Sequence, residues 1–103
     1  MILSRLISDV EVLGMTGETG SEISHIVFDS RQAGPGSLFV AVRGTRVDGH
    51  LYIPAALESG AVAIVFESEL PGNVKMEDYP QVTWVKVKES RIALARMAST
   101  FYH

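Results

Sequence analysis

The chain has 103 residues, enough for one small domain with a modest core. Hydrophobic residues make up 47% and charged residues 20%, the balance of a globular chain and not a disordered one. A formal net charge of −3 argues against a nucleic-acid surface but leaves room for a local basic pocket holding phosphate, and with no cysteine there is neither a disulfide framework nor a thiolate metal site.

In chain order, residues 2–7 have the spacing of one turn of amphipathic helix, and "VEVLGM" reads as a short strand. Residues 16–22, "TGETGSE", form a Gly- and Ser-bearing turn, and the β-branched stretch 22–28 predicts a strand. Gly34-Pro35-Gly36 punctuates as a tight turn. Residues 37–43, "SLFVAVR", are an apolar run of strand length, the pattern of a strand covered on both faces. A polar loop, "GTRVDGH", follows, with Asp48 or Gly49 placed to cap a helix over 50–59. Ile53, Ala56, Leu57 and Gly60 give that helix its spacing, Pro54 is tolerated only near its first turn, and Gly60 sits where a left-handed C-cap belongs. Residues 61–67 predict a second buried strand, 68–80 an acidic loop, and 82–87 a further strand containing Trp84, read as core. Ser90 is placed to N-cap a last helix with Leu94, Met97, Ala98 and Phe101 on its apolar face. That helix runs to His103 with no C-cap signal, the appearance of a chain cut from something longer. The fold class is therefore α/β, with a small mixed, partly parallel sheet flanked by helices.

The longest apolar runs are far too short to span a bilayer, and the N-terminal stretch lacks the apolar core and cleavage site of a signal peptide, so no membrane insertion and a cytoplasmic home are expected. His25, His50 and His103 share no metal-ligand spacing, and no nucleophile has an evident base partner; no metal and no catalytic residue is assigned. Lys86, Lys88 and Arg91 read as a solvated edge. Two segments remain. Asp29-Ser30-Arg31 follows a strand, where ligands of α/β sheets collect, and a serine hydroxyl there both donates and accepts. The other reading is a serine turn flanked by a solvated ion pair. Residues 44–50 join a strand to a helix start, where backbone N–H groups favour an anion and Arg46 adds a cation. An ordinary loop with an Asp cap reads as well. Gly34-Pro35-Gly36 lacks the Lys-Ser/Thr of a phosphate loop and precedes a strand, so it is no phosphate cradle.

The ordered set Asp29-Ser30-Arg31, Pro35-Gly36, Leu38-Phe39-Val40-Ala41, Gly44, Asp48-Gly49, Ile53-Pro54-x-Ala56 and Gly60-Ala61 resembles the N-terminal, UDP-binding domain of the Mur ligases of peptidoglycan synthesis. The match is dense over 23–67 and resumes at "VTWVKVKESRIALARMASTFYH". Val87-Lys88-x-Ser90-Arg91 with the closing Phe101-Tyr102 resembles the branch that adds the third stem-peptide residue, the MurE type, more than the D-Ala-D-Ala-adding MurF type.

The resemblance implies that residues 1–103 are one substrate-anchoring domain of a longer ligase, holding the UDP part of UDP-N-acetylmuramoyl-L-Ala-D-Glu. It places Phe28, Ser30, Thr45, Arg46 and Val47 against the ligand, Phe28 through its backbone and Ser30 through its hydroxyl. Residues 45–47 differ from other members, so their backbones carry over more directly than their side chains. Asp29, Arg31, Gly44, Asp48 and Gly49 are implied as structural support. The parent would use ATP and Mg²⁺ to activate the D-Glu carboxylate as an acyl phosphate, then join it to a diamino acid, with meso-diaminopimelate ahead of L-lysine. The ATP-binding and C-terminal domains that do this chemistry are absent from these residues, so no cofactor is expected here and the fragment alone should be inactive. The rival classes are a stand-alone nucleotide-binding or regulatory module, such as the α/β domains preceding the kinase domain in the HPr kinase family, and a plain interaction domain.

Overall fold

The computed structural model describes residues 1–102; His103 lies outside the described residues. A short helix α1 (Leu3–Leu6) leads into β1 (Val12–Thr16), β2 (His25–Val27) and β3 (Ser37–Val40). Then come α2 (Ile53–Glu58), β4 (Ala63–Phe66), β5 (Thr83–Val87) and α3 (Ser90–Tyr102). The five strands form one sheet in the order β1-β5-β4-β3-β2. β2, β3, β4 and β5 run parallel to one another, and β1 adds an antiparallel edge on β5 with a register shift between Val12 and Gly14. The α/β class and the mixed, largely parallel sheet expected from the sequence are both present.

Period-two alternation divides the core. Leu38, Val40, Ala63, Val65, Val85 and Val87 face α1 and α3, packing on Leu3, Leu6, Ala93 and Met97. Phe39, Ala41, Ile64, Phe66 and Trp84 face the other way, onto Ile53, Ala56 and Leu57 of α2 and Val74 of the connection between β4 and β5. Both faces are covered, so β3 and β4 read as unbroken apolar runs. Trp84 is core as expected, 1% exposed and edge-on to Phe66 and Tyr79.

The turns obey local chemistry. Ser37 N–H bonds the Gly34 carbonyl at 3.1 Å, with Pro35 and Gly36 at the corner and Gly36 at φ +80°. This matches a type II turn, whose third residue needs positive φ. Gly60 takes φ +105° after α2, and a Cβ there would come within 3.0 Å of the Pro35 backbone.

Several boundaries differ from the sequence expectation. The strand expected over 22–28 pairs only over His25–Val27, and that expected over 37–43 stops at Val40. The helix expected over 50–59 is two pieces, a 3₁₀ turn over Gly49–Tyr52 and then α2. Pro54 has no N–H to give the His50 carbonyl, which accepts from Ile53 instead, three residues on. Ser90 is not a cap. It is the first residue of α3, fully buried, and its hydroxyl finds no partner among the described residues. The Ser90 N–H is instead satisfied by Glu67 Oε1 at 3.0 Å, from the end of β4.

Candidate functional site: a cleft at the carboxyl ends of β2 and β3

The chain leaves β2 at Val27 and turns at once through Asp29 into a 3₁₀ turn over Ser30–Gln32. Asp29 Oδ1 caps that turn by accepting the Arg31 backbone N–H at 3.0 Å. The Arg31 guanidinium grips the same carboxylate with two nitrogens, Nε at 3.0 Å from Oδ1 and Nη2 at 2.7 Å from Oδ2. The Arg31 side chain, then its backbone N–H, holds the Asp29 carboxyl well below the usual range, at about 2. The guanidinium is in turn pushed up by Asp29, with a small contribution from nearby Tyr52. Ser30, half-buried between these partners, makes no side-chain hydrogen bond among the described residues, so its hydroxyl is free to meet a ligand.

The second segment leaves β3 and closes on itself as a small bracket. Gly44 N–H donates to the Val47 carbonyl at 2.9 Å and Gly49 N–H to the Val42 carbonyl at 2.8 Å, with Arg43 and Asp48 bridged between them. Backbone approaches this close leave no room for a side chain: a Cβ on Gly49 would lie 2.8 Å from Val42 N and O, and one on Gly44 2.9 Å from Val47 O.

Asp48 anchors the bracket. Its Oδ1 accepts the His50 backbone N–H at 3.0 Å and lies 2.6 Å from His50 Nδ1. His50 is 2% exposed, and its Nε2 accepts two backbone N–H groups, from Glu67 at 3.0 Å and Ser68 at 3.1 Å. A nitrogen accepting two donors carries a lone pair, so the ring is neutral with its proton on Nδ1, donated to Asp48. Burial raises the Asp48 pKa, but the hydrogen bonds from the His50 backbone and ring, with the nearby charge of Arg43, win and hold it below the usual value.

The two segments meet in one cleft of about 530 Å³. Phe28, Asp29, Ser30 and Arg31 line one side, and Gly44, Val47 and Gly49 the other. Phe39 and Val42 lie between them, and Tyr52 closes the wall from the turn before α2. Of the residues singled out in the sequence, Thr45 and Arg46 are exposed and stand outside the lining, while Asp48 lies beneath it as a brace. Sequence reasoning missed Tyr52 and His50. For His50 a signal was present: Asp48 two residues earlier, at a helix start, is the spacing of an Asx cap onto its backbone N–H. Among the described residues no group of three His, Cys, Asp or Glu side chains stands close enough to hold a metal ion. The cleft offers a paired ion, a free hydroxyl, glycine backbone and apolar surface. That equipment suits binding.

Comparison with known proteins bears on the family and the fold. A profile of the Mur ligase family, catalytic domain, matches residues 22–102. The chain is 39% identical over 102 residues to the UDP-N-acetylmuramoyl-L-alanyl-D-glutamate--2,6-diaminopimelate ligase of Bacteroides thetaiotaomicron, covering 99% of this chain and 20% of that protein. It is 48% identical over 82 residues to the UDP-N-acetylmuramyl-tripeptide synthetase of Roseiflexus sp., covering 79% of this chain and 15% of that one. The fold superposes on MurF from Acinetobacter baumannii with a TM-score of 0.73 at 21% identity, over 96% of this chain and 20% of that structure. The MurF ligase of Thermotoga maritima, solved with ADP, is 32% identical over 76% of this chain and 16% of that structure, with a TM-score of 0.56. The chain thus spans about a fifth of the length of the curated relatives it matches. Its ordered motifs, its sheet and these likenesses, 39% identity over nearly its whole length among them, agree: the chain belongs to the Mur ligase family.

Proposed function

We propose that this chain is the substrate-anchoring N-terminal domain of a MurE-type ligase and holds the UDP part of UDP-N-acetylmuramoyl-L-Ala-D-Glu. The observation that carries the reading is the convergence of the Phe28–Arg31 turn and the Gly44–Gly49 bracket on one cleft. Both leave the carboxyl ends of adjacent parallel strands, where α/β sheets bind ligands. In this reading Ser30 bonds the uridine and Phe28 contributes backbone. The Thr45, Arg46 and Val47 segment meets the diphosphate, chiefly through backbone. Asp29, Arg31, Gly44, Asp48 and Gly49 hold the two loops in shape.

The longer ligase would activate the D-Glu carboxylate with ATP and Mg²⁺ and join it to meso-diaminopimelate, ahead of L-lysine. The residues of this chain do not fit that cofactor pair. The sequence has no Gly-Lys-Ser/Thr phosphate loop, and no carboxylate group among the described residues is gathered to hold a divalent ion. ATP turnover and amide formation therefore fall to the ATP-binding and C-terminal domains of the parent, and this chain alone should do neither. A cytoplasmic location goes with the reading, since ATP and a nucleotide-linked precursor are met there; no described helix is long and apolar enough to cross a membrane. A MurF-type parent draws support from the T. maritima likeness, but relatives at 37–48% identity carry MurE-type names.

An NMR titration with UDP tests the site. Saturating shifts should cluster at residues 28–31 and 44–49 and shrink in Ser30→Ala. Shifts confined to 68–80 or to α3, and unchanged in Ser30→Ala, would put the nucleotide on another face. With only the nucleotide end held, a dissociation constant on the order of a millimolar is expected, about −4 kcal/mol.

A further inference from the structure

We propose that Tyr52, together with Phe28, forms the wall against which the base of the nucleotide lies, and that the nucleoside, not the diphosphate, supplies most of the affinity at this cleft. The inference rests on the nucleotide reading of the cleft and adds to it which end of the ligand is recognised and by what.

Three large apolar side chains from three separate segments stand exposed around this one cavity: Phe28 at 63%, Val47 at 51% and Tyr52 at 46%. Beneath them Phe39 is fully buried. A small domain that covers both faces of its sheet but leaves two aromatics and a valine exposed around one cleft presents a surface built for an apolar partner. A pyrimidine ring is such a partner: two apolar faces for aromatic side chains, and a polar edge for a group that both donates and accepts. Ser30, with its unengaged hydroxyl, lines the same cleft.

Tyr52 is also held in advance of binding. It ends the 3₁₀ turn that begins at Gly49, two residues after His50, whose ring is tied to Asp48, Glu67 and Ser68. The next residue, Ile53, is fully buried in the core. A backbone fixed on both sides leaves only the side-chain rotamer to be ordered when the ligand arrives.

Electrostatics turn the same way. Among the described residues Arg31 is the one cation in the lining, and its Nε and Nη2 are committed to Asp29. Arg46 stands outside the lining, exposed at the tip of the bracket. Among the described residues, the cation a diphosphate meets within the cleft is therefore already paired with a carboxylate, and an exposed arginine at its rim contributes a contact that salt screens.

The experiment is a set of NMR titrations of the 103-residue chain with uridine, UDP, ribose 5-phosphate and inorganic pyrophosphate at low and high salt. Uridine and UDP should shift residues 28–31, 44–49 and 52 with dissociation constants within about 3-fold of each other, a gap that closes at high salt. Ribose 5-phosphate and pyrophosphate should give no saturable shifts there. Tyr52→Ala should weaken uridine and UDP alike by roughly 10-fold, the size of one lost base–aromatic contact, while Tyr52→Phe stays within about 2-fold of the original chain. If UDP binds at these residues but uridine does not, or pyrophosphate binds as well as UDP, the nucleoside inference is wrong and the UDP site stands. Tyr52→Ala and Tyr52→Leu both folded and both unchanged in affinity would remove the wall. Neither uridine nor UDP shifting these residues would overturn this inference and the nucleotide reading together. The comparison of ligands on the unmutated chain decides the matter even if the variants fold poorly.

Discussion

Asp48 Oδ1 lies 2.6 Å from His50 Nδ1, and this pair decides which nitrogen of a buried ring faces the end of β4. The carboxylate accepts a hydrogen bond from Nδ1–H, leaving Nε2 to accept the N–H groups of Glu67 and Ser68. Glu67 then passes the connection on, its carboxylate accepting the first N–H of α3. The floor of the cleft, the end of a central strand and the start of the last helix are thus tied through three side chains and three backbone groups.

Removing the ring should show its worth. His50→Ala strands two part-buried backbone donors and opens a hole, and a single stranded donor costs about 1–3 kcal/mol. His50→Gln, whose amide oxygen reaches the place of Nε2, should recover part of the loss. Urea unfolding of the three chains checks this, with the midpoint ordered original, Gln, Ala. Equal midpoints for Gln and Ala would mean the acceptor at Nε2 contributes nothing.

Asp29 should titrate far below an ordinary aspartate. Its folded pKa is about 2, against roughly 3.9 in an unfolded chain, so the folded state binds its proton less readily. A depressed carboxyl contributes stability that is complete above about pH 4 and disappears as the pH falls towards 2. Carboxyl-carbon NMR reads the pKa directly, and Arg31→Ala should return it towards 3.9 because Arg31 is the principal cause. A value near 4 in the original chain would mean the two-nitrogen contact does not persist in solution.

Glycine substitutions should separate the bracket from the surface. Gly49→Ala forces a Cβ to within 2.8 Å of the Val42 backbone, and the bracket must open or shift. A loss of roughly 1–3 kcal/mol is expected, with UDP binding weakened. Gly72→Ala meets nothing within 4 Å and should stay within about 0.5 kcal/mol of the original. Thermal melts of the two variants give the comparison, and a Gly49→Ala chain as stable as Gly72→Ala would sink the close-approach argument.

Ser30 and Arg46 should fail differently in nucleotide binding. Ser30→Ala removes one hydrogen bond and should weaken UDP by roughly 0.5–1.5 kcal/mol, or up to about 3 where a ligand group is left buried and unpaired. That loss should hold at any ionic strength. Arg46 is exposed outside the cleft lining, so Arg46→Ala should cost less, and its effect should fade as salt rises. Titrations at two salt concentrations distinguish them. A salt-independent loss at Arg46 would place its guanidinium inside the site.

The sequence by itself determined the kinds of element and the local turns, because those depend on neighbours a few residues away. The runs 37–43 and 61–67 announce strands with both faces covered, Asp48 announces a cap, and Gly60 a left-handed helix end. The ordered motifs also point to the two segments that line the cleft. Strand limits were not legible in this way. β3 ends at Val40, although Ala41 and Val42 are as apolar as what precedes them, because its partner β2 stops at Val27 and the chain must turn to make the bracket. Ser90 has the chemistry of a cap, but Glu67, 23 residues earlier, reaches the helix start first and leaves the hydroxyl buried without a partner. Tyr52 joins the site only because packing α2 against the sheet carries the preceding turn beside Arg31 and Ser30. Which acceptor meets a helix end, and which ring faces a cleft, depend on contacts between residues far apart in the chain, and only the tertiary structure brings those residues together.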